Sequence, residues 1–446
     1  MLETYKKLLA EFELQNVNYT LWKSLEFYSE QLNGEGDIDV LFKQSQIKIA
    51  ESIMMELGYA EDLSSPDRIG RKIKVFRGFD IETLKHSTVH VHYGCWFGSK
   101  KYKEFCFPYS QEMFEFSIRE QGVLRLCPAH FIVTRILIVA LRKNYEDMYV
   151  CKMAKDFKSL PGNQRLIVEE HLFNYFKTNI SDLMKKIEEI GPSVLDEVHQ
   201  KAYEVLNEQN NIESACQDVM RYNYSKTLKD WYLPNLIKGK RNKISNPVSI
   251  ILAGHDGVGK TTVSRMLKKH LAKISMTKRI YLGRSTWSLF NSLINKFRQK
   301  QLFRFLNLIW PFTSSIEIVL RLLVGRMLVK LGVIVIFDRS LTDFFIKWGG
   351  SNKFGSWFPI WLAKKFTHNK EADLCFLLHA NSAVVLSRKG KNIHSIDEIE
   401  NLKFLYDKYT ADYFKHIETS NKLPEEIVGQ IIDNVFRLSA KLQGKL

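Results

Sequence analysis

Gly254-His255-Asp256-Gly257-Val258-Gly259-Lys260-Thr261 decides the fold of this chain's C-terminal half. The stretch satisfies G-x-x-x-x-G-K-[ST], a loop whose glycines let backbone N–H groups curl around a phosphate chain. Its flanks agree. Pro247 to Ala253 reads PVSIILA, a short apolar run rich in β-branched residues, as a buried parallel strand requires. Thr262 to Ile274 follows with Val263, Met266, Leu267, Leu271 and Ile274 at helical spacing. Strand, glycine loop and helix N-terminus together make an anion site. In that motif Lys260 reaches the β/γ-phosphates and the Thr261 hydroxyl sits on Mg²⁺.

The whole chain has 446 residues, which predicts about two or three domains. Its 45% hydrophobic and 26% charged content is that of a folded globular protein rather than a disordered one. The six cysteines (95, 106, 127, 151, 216, 375) are scattered with no C-x-x-C pair, the pattern of reduced thiols in a cytoplasmic protein. The opening MLETYKKLLAEFE is acidic and amphipathic, unlike a secretion signal. Ile316 to Phe337 is long and apolar, but Glu317, Arg321, Arg326 and Lys330 argue against a membrane span and for a helix, Ser315 to Lys330, followed by a strand.

The net charge of +16 is unevenly placed. Residues 1–244 balance, whereas 245–446 hold 31 basic and 15 acidic residues. Within 278–365 the ratio is 15 to 3. Such an excess suits polyanions: nucleotides, phosphorylated substrates, nucleic acid, or the inner face of an anionic membrane touched peripherally. A solvated basic surface would look the same.

Residues 1–122 read as α+β, with Asp37-Ile-Asp-Val-Leu-Phe42 alternating like a half-buried strand. Residues 123–244 are mostly helical and end in the basic linker 238–243. The last domain is 245–446. There, five apolar residues from Val333 end in Asp338-Arg339-Ser340, a buried strand with a carboxylate at its C-terminal tip, the edge at which open α/β sheets bind ligands. A carboxylate there can hold Mg²⁺, and Arg339 beside it can take a phosphate in bidentate fashion. Ala372 to Ala380 is a third strand, and Arg388-Lys389-Gly390-Lys391 reads as a basic turn.

Four features make residues 245–446 resemble a thymidylate-kinase-like P-loop kinase. They are Asp256-Gly257-x-Gly259-Lys260-Thr261-Thr262, the strand-end Asp338-Arg339, the order of elements, and Ala372-Asp373-Leu374 before Arg388-Lys389-Gly390. The resemblance implies a five-stranded parallel sheet with helices on both faces, and ATP and Mg²⁺ as donor and metal. It implies that Asp256 faces the acceptor while Arg388 and Lys389 close over the phosphates. Thymidylate kinases carry Arg-Glu-Pro-Gly after the second strand; here Ile280-Tyr-Leu-Gly-Arg284 stands there, so only Arg284 carries over. Asp-Arg is followed by Ser340 rather than an aromatic, and Trp287–Phe312 and Phe344–Phe366 are enlarged, aromatic and basic. These departures point away from ordinary dTMP and toward a sugar, glycan or other nucleotide-related phosphate acceptor.

Asp37 and Asp39, two apart on one strand, share a face and can together hold Mg²⁺. With Trp22-Lys23-Ser24 and Gly34/Gly36 before them, they resemble the nucleotidyltransferase superfamily, and bacterial proteins that fuse such a domain to a thymidylate-kinase-like one, often among surface-polysaccharide functions. The third carboxylate of that pattern is replaced by His90 in Thr88-Val-His90-Val-His92, unless another register brings in Asp80 or Glu82.

The expected fold is therefore α/β, with a P-loop kinase domain preceded by an α+β nucleotidyltransferase-like domain and a helical middle. The expected activity is ATP- and Mg²⁺-dependent phosphoryl transfer. Gly254, Asp256, Gly257, Gly259, Lys260, Thr261, Thr262 and Lys389 would bind nucleotide. Lys260, Asp338, Arg339, Arg284 and Arg388 would carry catalysis, and Thr261, Asp338, Asp37 and Asp39 would hold metal. Two alternatives stay open: a bifunctional kinase and nucleotidyltransferase of surface-polysaccharide biosynthesis, and a nucleotide-gated protein binding membrane or nucleic acid. A homodimer is compatible with either.

Overall fold

The computed structural model of the chain describes residues 1–62, 73–97, 105–107, 110–142, 148–210, 247–283, 306–343, 346, 361, 371–389, 395–410 and 412–444. The chain divides into two compact units, Met1–Ile237 and Lys238–Leu446.

The first unit is built on a mixed sheet. Its strands are β1 (Tyr19–Leu21), β2 (Asp37–Phe42), β3 (Ala60–Glu61), β4 (Ile73–Phe79) and β5 (His86–His92), with β6 (Cys95–Phe97) and β7 (Phe105–Phe107) forming a separate ribbon. With β8 (Ile118–Glu120) and β9 (Val123–Arg125), the main sheet runs β3-β4-β5-β2-β1-β9-β8. Alternation along β2 buries Ile38 and Val40 and leaves Asp37 and Asp39 half-buried on the other face. Helix Glu3–Leu14 sinks Tyr5, Leu8, Leu9 and Phe12, one helical stripe, and Phe12 meets the Phe42 ring edge-on at 5.2 Å.

The sheet runs past residue 122, because β9 pairs parallel with β1. The helices that follow, Pro128–Arg142, Met148–Ser159, Gly162–Phe176, Ile180–Ile190 and Asp196–Asn210, share its core, which extends without a break from Leu2 to Leu206. The apolar helix around Arg135 is thus buried against the sheet's own hydrophobic set. Arg135 escapes an unpaired charge by its ion pair with Glu26, at 2.9 Å.

The second unit has five parallel strands, β10 (Ser249–Ala253), β11 (Thr277–Tyr281), β12 (Ile334–Asp338), β13 (Leu374–His379) and β14 (Phe414–Glu418), in the order β11-β12-β10-β13-β14. All five residues of β10 and all five of β12 are buried, which is why both read as apolar runs, opened by Ser249 in β10 and closed by Asp338 in β12. Helices Lys260–Leu271 and Pro424–Gln443 pack together, and helix Leu306–Lys330 packs on β12 and β10. That last helix begins earlier than the expected Ser315. A Cβ on Gly325 would lie 2.2 Å from the Phe337 ring, so glycine sets how closely the helix approaches the strand. Among the described residues, no helix is long and apolar enough to cross a membrane.

Candidate active site

In the second unit, β10 and β12 are neighbours, with Leu252 opposite Asp338. The loop after one and the carboxylate ending the other therefore share the C-terminal edge of the sheet. Three loop glycines have left-handed or similarly restricted backbones, Gly254 (φ 136°), Gly257 (φ 102°) and Gly259 (φ 100°). A Cβ on Gly259 would meet nothing within 4 Å, so the loop opens there onto free space. A Cβ on Gly254 would lie 2.2 Å from the Leu378 carbonyl oxygen. Since backbone and not a flexible side chain stands in the way, Gly254→Ala is expected to cost about 2–4 kcal/mol and to abolish nucleotide binding. Urea denaturation and titration with a fluorescent ATP analogue measure the two effects; wild-type values in both would contradict this account of the loop.

Lys260 opens the helix and is buried, with 5% exposure. Its ammonium donates to the carbonyls of Gly254 and of His255 (2.8 Å) and lies 3.9 Å from Asp256. Burial lowers its pKa, opposed by the carboxylates of Asp343, Asp256 and Asp338. The cation is thus held beneath the loop by its carbonyl dipoles. Thr261 and Thr262 are exposed in the first turn.

Asp338 is 1% exposed; its Oδ2 accepts from Ser264 Oγ (3.2 Å) and from the Arg279 guanidinium on β11. Arg339 adopts φ 95°, a region costly for a non-glycine residue. It donates to Asp256 Oδ1 (2.8 Å) and to the Tyr281 hydroxyl (3.0 Å). Burial works against its charge, but Asp256 and Asp343 more than compensate and raise its pKa. Asp256, expected from the resemblance to face an acceptor, is Arg339's counter-ion in this structure.

Three functional neighbours were missed in the sequence. Asp343 accepts from the Gly254 N–H (3.2 Å), the Ser340 N–H (3.1 Å) and the Tyr406 hydroxyl, and so ties the glycine loop to the turn after β12. Its N–H in turn donates to Ser340 Oγ at 3.1 Å. Ser340-x-x-Asp343 is therefore a reciprocal capping pattern that could have been read directly. Arg279 carried no local signal, because its partner is 59 residues away. Nor did Glu371, which is fully buried and accepts from the Leu341 N–H (2.8 Å) and the Thr342 hydroxyl (3.4 Å).

Burial pushes the Glu371 carboxyl up to about 7, with the nearby Asp343 charge adding to it. The folded state then keeps a proton that the unfolded chain releases near its ordinary value of 4.5. This contribution to stability is complete below pH 4.5 and is lost as pH rises through 7, a change on the order of 3 kcal/mol. Glu371→Gln is expected to remove that slope between pH 5 and 7. Unfolding midpoints across that range, compared with wild type, would show parallel curves if Glu371 does not titrate there.

The basic turn expected at 388–391 begins instead as helix. Arg388 and Lys389 end helix Ser382–Lys389. The Arg388 guanidinium donates to the Thr419 carbonyl (2.8 Å), and Thr419 Oγ1 donates to the Val258 carbonyl of the glycine loop (3.1 Å). Arg388 thus braces the loop through Thr419 rather than closing over it. The Lys389 side chain, Arg284, and most of the aromatic-basic stretches 287–312 and 344–366 lie outside the described residues. At the same sheet edge a cavity of about 590 Å³ is lined by Asn381, Ser382, Glu400, Lys403, Glu418 and Ser420.

In the first unit, β2 and β5 pair parallel with Asp37 opposite Thr88 and Asp39 opposite His90. His90 thus stands beside Asp39 on the neighbouring strand. Asp80 is committed to the N–H groups of Thr83 (2.9 Å) and Thr4 (3.0 Å), and Glu82 sits exposed in the turn after β4. His90 bridges the pair, Nε2 at 3.3 Å from Asp37 and Nδ1 at 3.3 Å from Asp39. His92, which sequence reasoning passed over although it shares His90's face, donates from Nε2 to Asp39 at 2.7 Å.

Burial works against the His90 charge, but hydrogen bonds and charge from both aspartates carry its pKa up to about 10. Burial and the nearby Lys23 charge bring His92 down to about 3. Burial pushes the Asp39 pKa up, but the two imidazoles hold it well below the usual range. The His90 ring lies within ion-pair distance of both carboxylates. A set of one carboxylate and two imidazoles around Asp39 suits Mg²⁺ poorly, since that ion prefers oxygen.

No family model matches the chain, and no curated protein does. Among solved structures, a thymidylate kinase from Candida albicans aligns at 14% identity with a TM-score of 0.33, covering 44% of this chain and 93% of its own. A deoxyadenosine kinase from M. mycoides, solved with bound dATP, aligns at 16% identity with a TM-score of 0.30, covering 42% of this chain and 98% of its own.

Proposed function

We propose that the second unit is an ATP- and Mg²⁺-dependent phosphotransferase whose acceptor is a sugar, a glycan or a nucleotide-related phosphate acceptor other than ordinary dTMP. One observation carries the reading. A buried lysine, an open glycine loop and a strand-tip Asp-Arg pair meet at one sheet edge, joined by Asp343. Phosphoryl transfer needs little covalent chemistry from a protein; it needs fixed positive charge and a held triphosphate.

The all-oxygen donors Thr261 and Asp338 fit Mg²⁺, which would be held by the threonine hydroxyl and, through water, by the aspartate. When bound, that ion neutralises phosphate charge. Lys260 exchanges the Gly254 and His255 carbonyls for phosphate oxygens. Asp256 balances Arg339 until an anionic group replaces it. Asp343 fixes the Gly254 amide and the turn, and Arg388 holds Thr419 against the loop. Ser340 speaks for an acceptor unlike dTMP. It is buried and committed to the Asp343 cap, so nothing aromatic is offered at that position.

Incubation of the full chain with γ-labelled ATP and a panel of sugars, glycans, nucleosides and nucleotides tests the proposal. Label is expected in a hydroxyl or phosphate acceptor other than dTMP. Exclusive labelling of dTMP would refute the acceptor class, and no labelling with nucleotide-dependent membrane or nucleic-acid binding would refute the kinase.

A further inference from the structure

The helical part of the first unit carries a second cluster that the phosphate chemistry does not use. Glu112, His130 and His171 each offer one ligand atom, all within 4.8 Å of one another. They come from three separate helices, Ser110–Glu115, Pro128–Arg142 and Gly162–Phe176. Glu112 Oε2 is 3.3 Å from His171 Nε2 and 3.8 Å from His130 Nε2. His130 is 1% exposed, and its Nε2 has no hydrogen-bond partner. A buried ring nitrogen left without a partner is costly unless something else fills that position.

We propose that Glu112, His130 and His171 bind one divalent first-row metal ion, zinc by preference. Metal–ligand bonds of about 2.0–2.1 Å in tetrahedral geometry place ligand atoms about 3.3–3.4 Å apart; the Glu112–His171 pair is already at that separation, and the Glu112–His130 pair, at 3.8 Å, would close by a few tenths of an ångström. Two imidazoles and one carboxylate form a borderline set that suits zinc better than magnesium or calcium.

The surroundings are those of a built site. Cys127 Sγ lies 3.1 Å from His130 Nδ1, on the ring edge away from Glu112, where an outer partner orients a ligating imidazole. Thr134 Oγ1 fixes the His130 carbonyl at 2.7 Å, and Phe116 lies against the His130 ring at 5.8 Å. Met113, buried beside Glu112, anchors the short helix. The Glu112 carboxylate is about half exposed, and water would complete the coordination. The ion would tie the six-residue helix Ser110–Glu115 to two long helices of the core.

The test uses the full chain, stripped with a chelator and titrated with Zn²⁺ against a competing indicator, with Co²⁺ absorption as a second readout. One ion is expected per chain at this site, with a tetrahedral Co²⁺ spectrum and a rise in Tm of about 5 °C or more at a hundredfold excess over Kd. Glu112→Gln alters an exposed carboxylate and should leave the fold intact by circular dichroism while weakening Zn²⁺ at least tenfold. Glu112→Gln with His171→Gln should abolish binding, Cys127→Ser should weaken it about tenfold, and Asp39→Asn should not affect it. Absence of binding in the wild type, unchanged affinity in Glu112→Gln, or loss of the ion in Asp39→Asn would each overturn the proposal.

Discussion

Lys260→Met is expected to lower phosphoryl transfer by about two to three orders of magnitude, the usual result of removing one pre-positioned charge from a phosphoryl or oxyanion site. The reason lies in how the residue is held. Its ammonium is sequestered beneath the loop on two carbonyls, one at 2.8 Å, and reaches no distant partner whose loss would unravel the fold. Methionine keeps the aliphatic length and removes the charge, and burial had already cost that charge part of its stability. The thermal midpoint should therefore hold or rise while turnover collapses. Steady-state kinetics with γ-labelled ATP beside a melting curve measures both. Undiminished turnover in this variant would falsify the assignment of the glycine loop to phosphate handling.

Arg339→Gly should separate chemistry from stability even more sharply. At φ 95° the arginine sits where side chains cost of order 1–3 kcal/mol, and glycine removes that strain. The partly exposed ion pair with Asp256 that is lost contributes only about 0.2–1 kcal/mol. The variant is thus expected to be as stable as wild type or more so, yet to lose about 10²–10³ in turnover, because the guanidinium held between the strand tip and the glycine loop is gone. Arg339→Lys should recover charge but not the planar two-pronged donor, and so should restore only part of the rate. A destabilised Arg339→Gly with full activity would mean that the strained backbone serves packing and not phosphate.

What the sequence determined by itself was everything that is local. The glycine loop, its flanking strand and helix, the carboxylate at the end of β12 and the shared face of Asp37 and Asp39 all follow from spacings of a few residues. Backbone geometry alone fixes which neighbours share a strand face or a helix stripe. Ser340-x-x-Asp343 and His90-x-His92 were equally legible and needed only to be read. Tertiary structure alone decided which distant groups meet. Parallel register set Leu252 beside Asp338 and Asp39 beside His90. Crossover helices then brought Arg279 to Asp338, Glu371 to Leu341, Arg388 to Thr419, and Glu112 to His130 and His171. These groups are separated by 18 residues or more and lie on different elements, so no periodicity records the pairing. Each depends on how sheets and helices pack around a core, where a buried polar group is stable only if the fold delivers its partner.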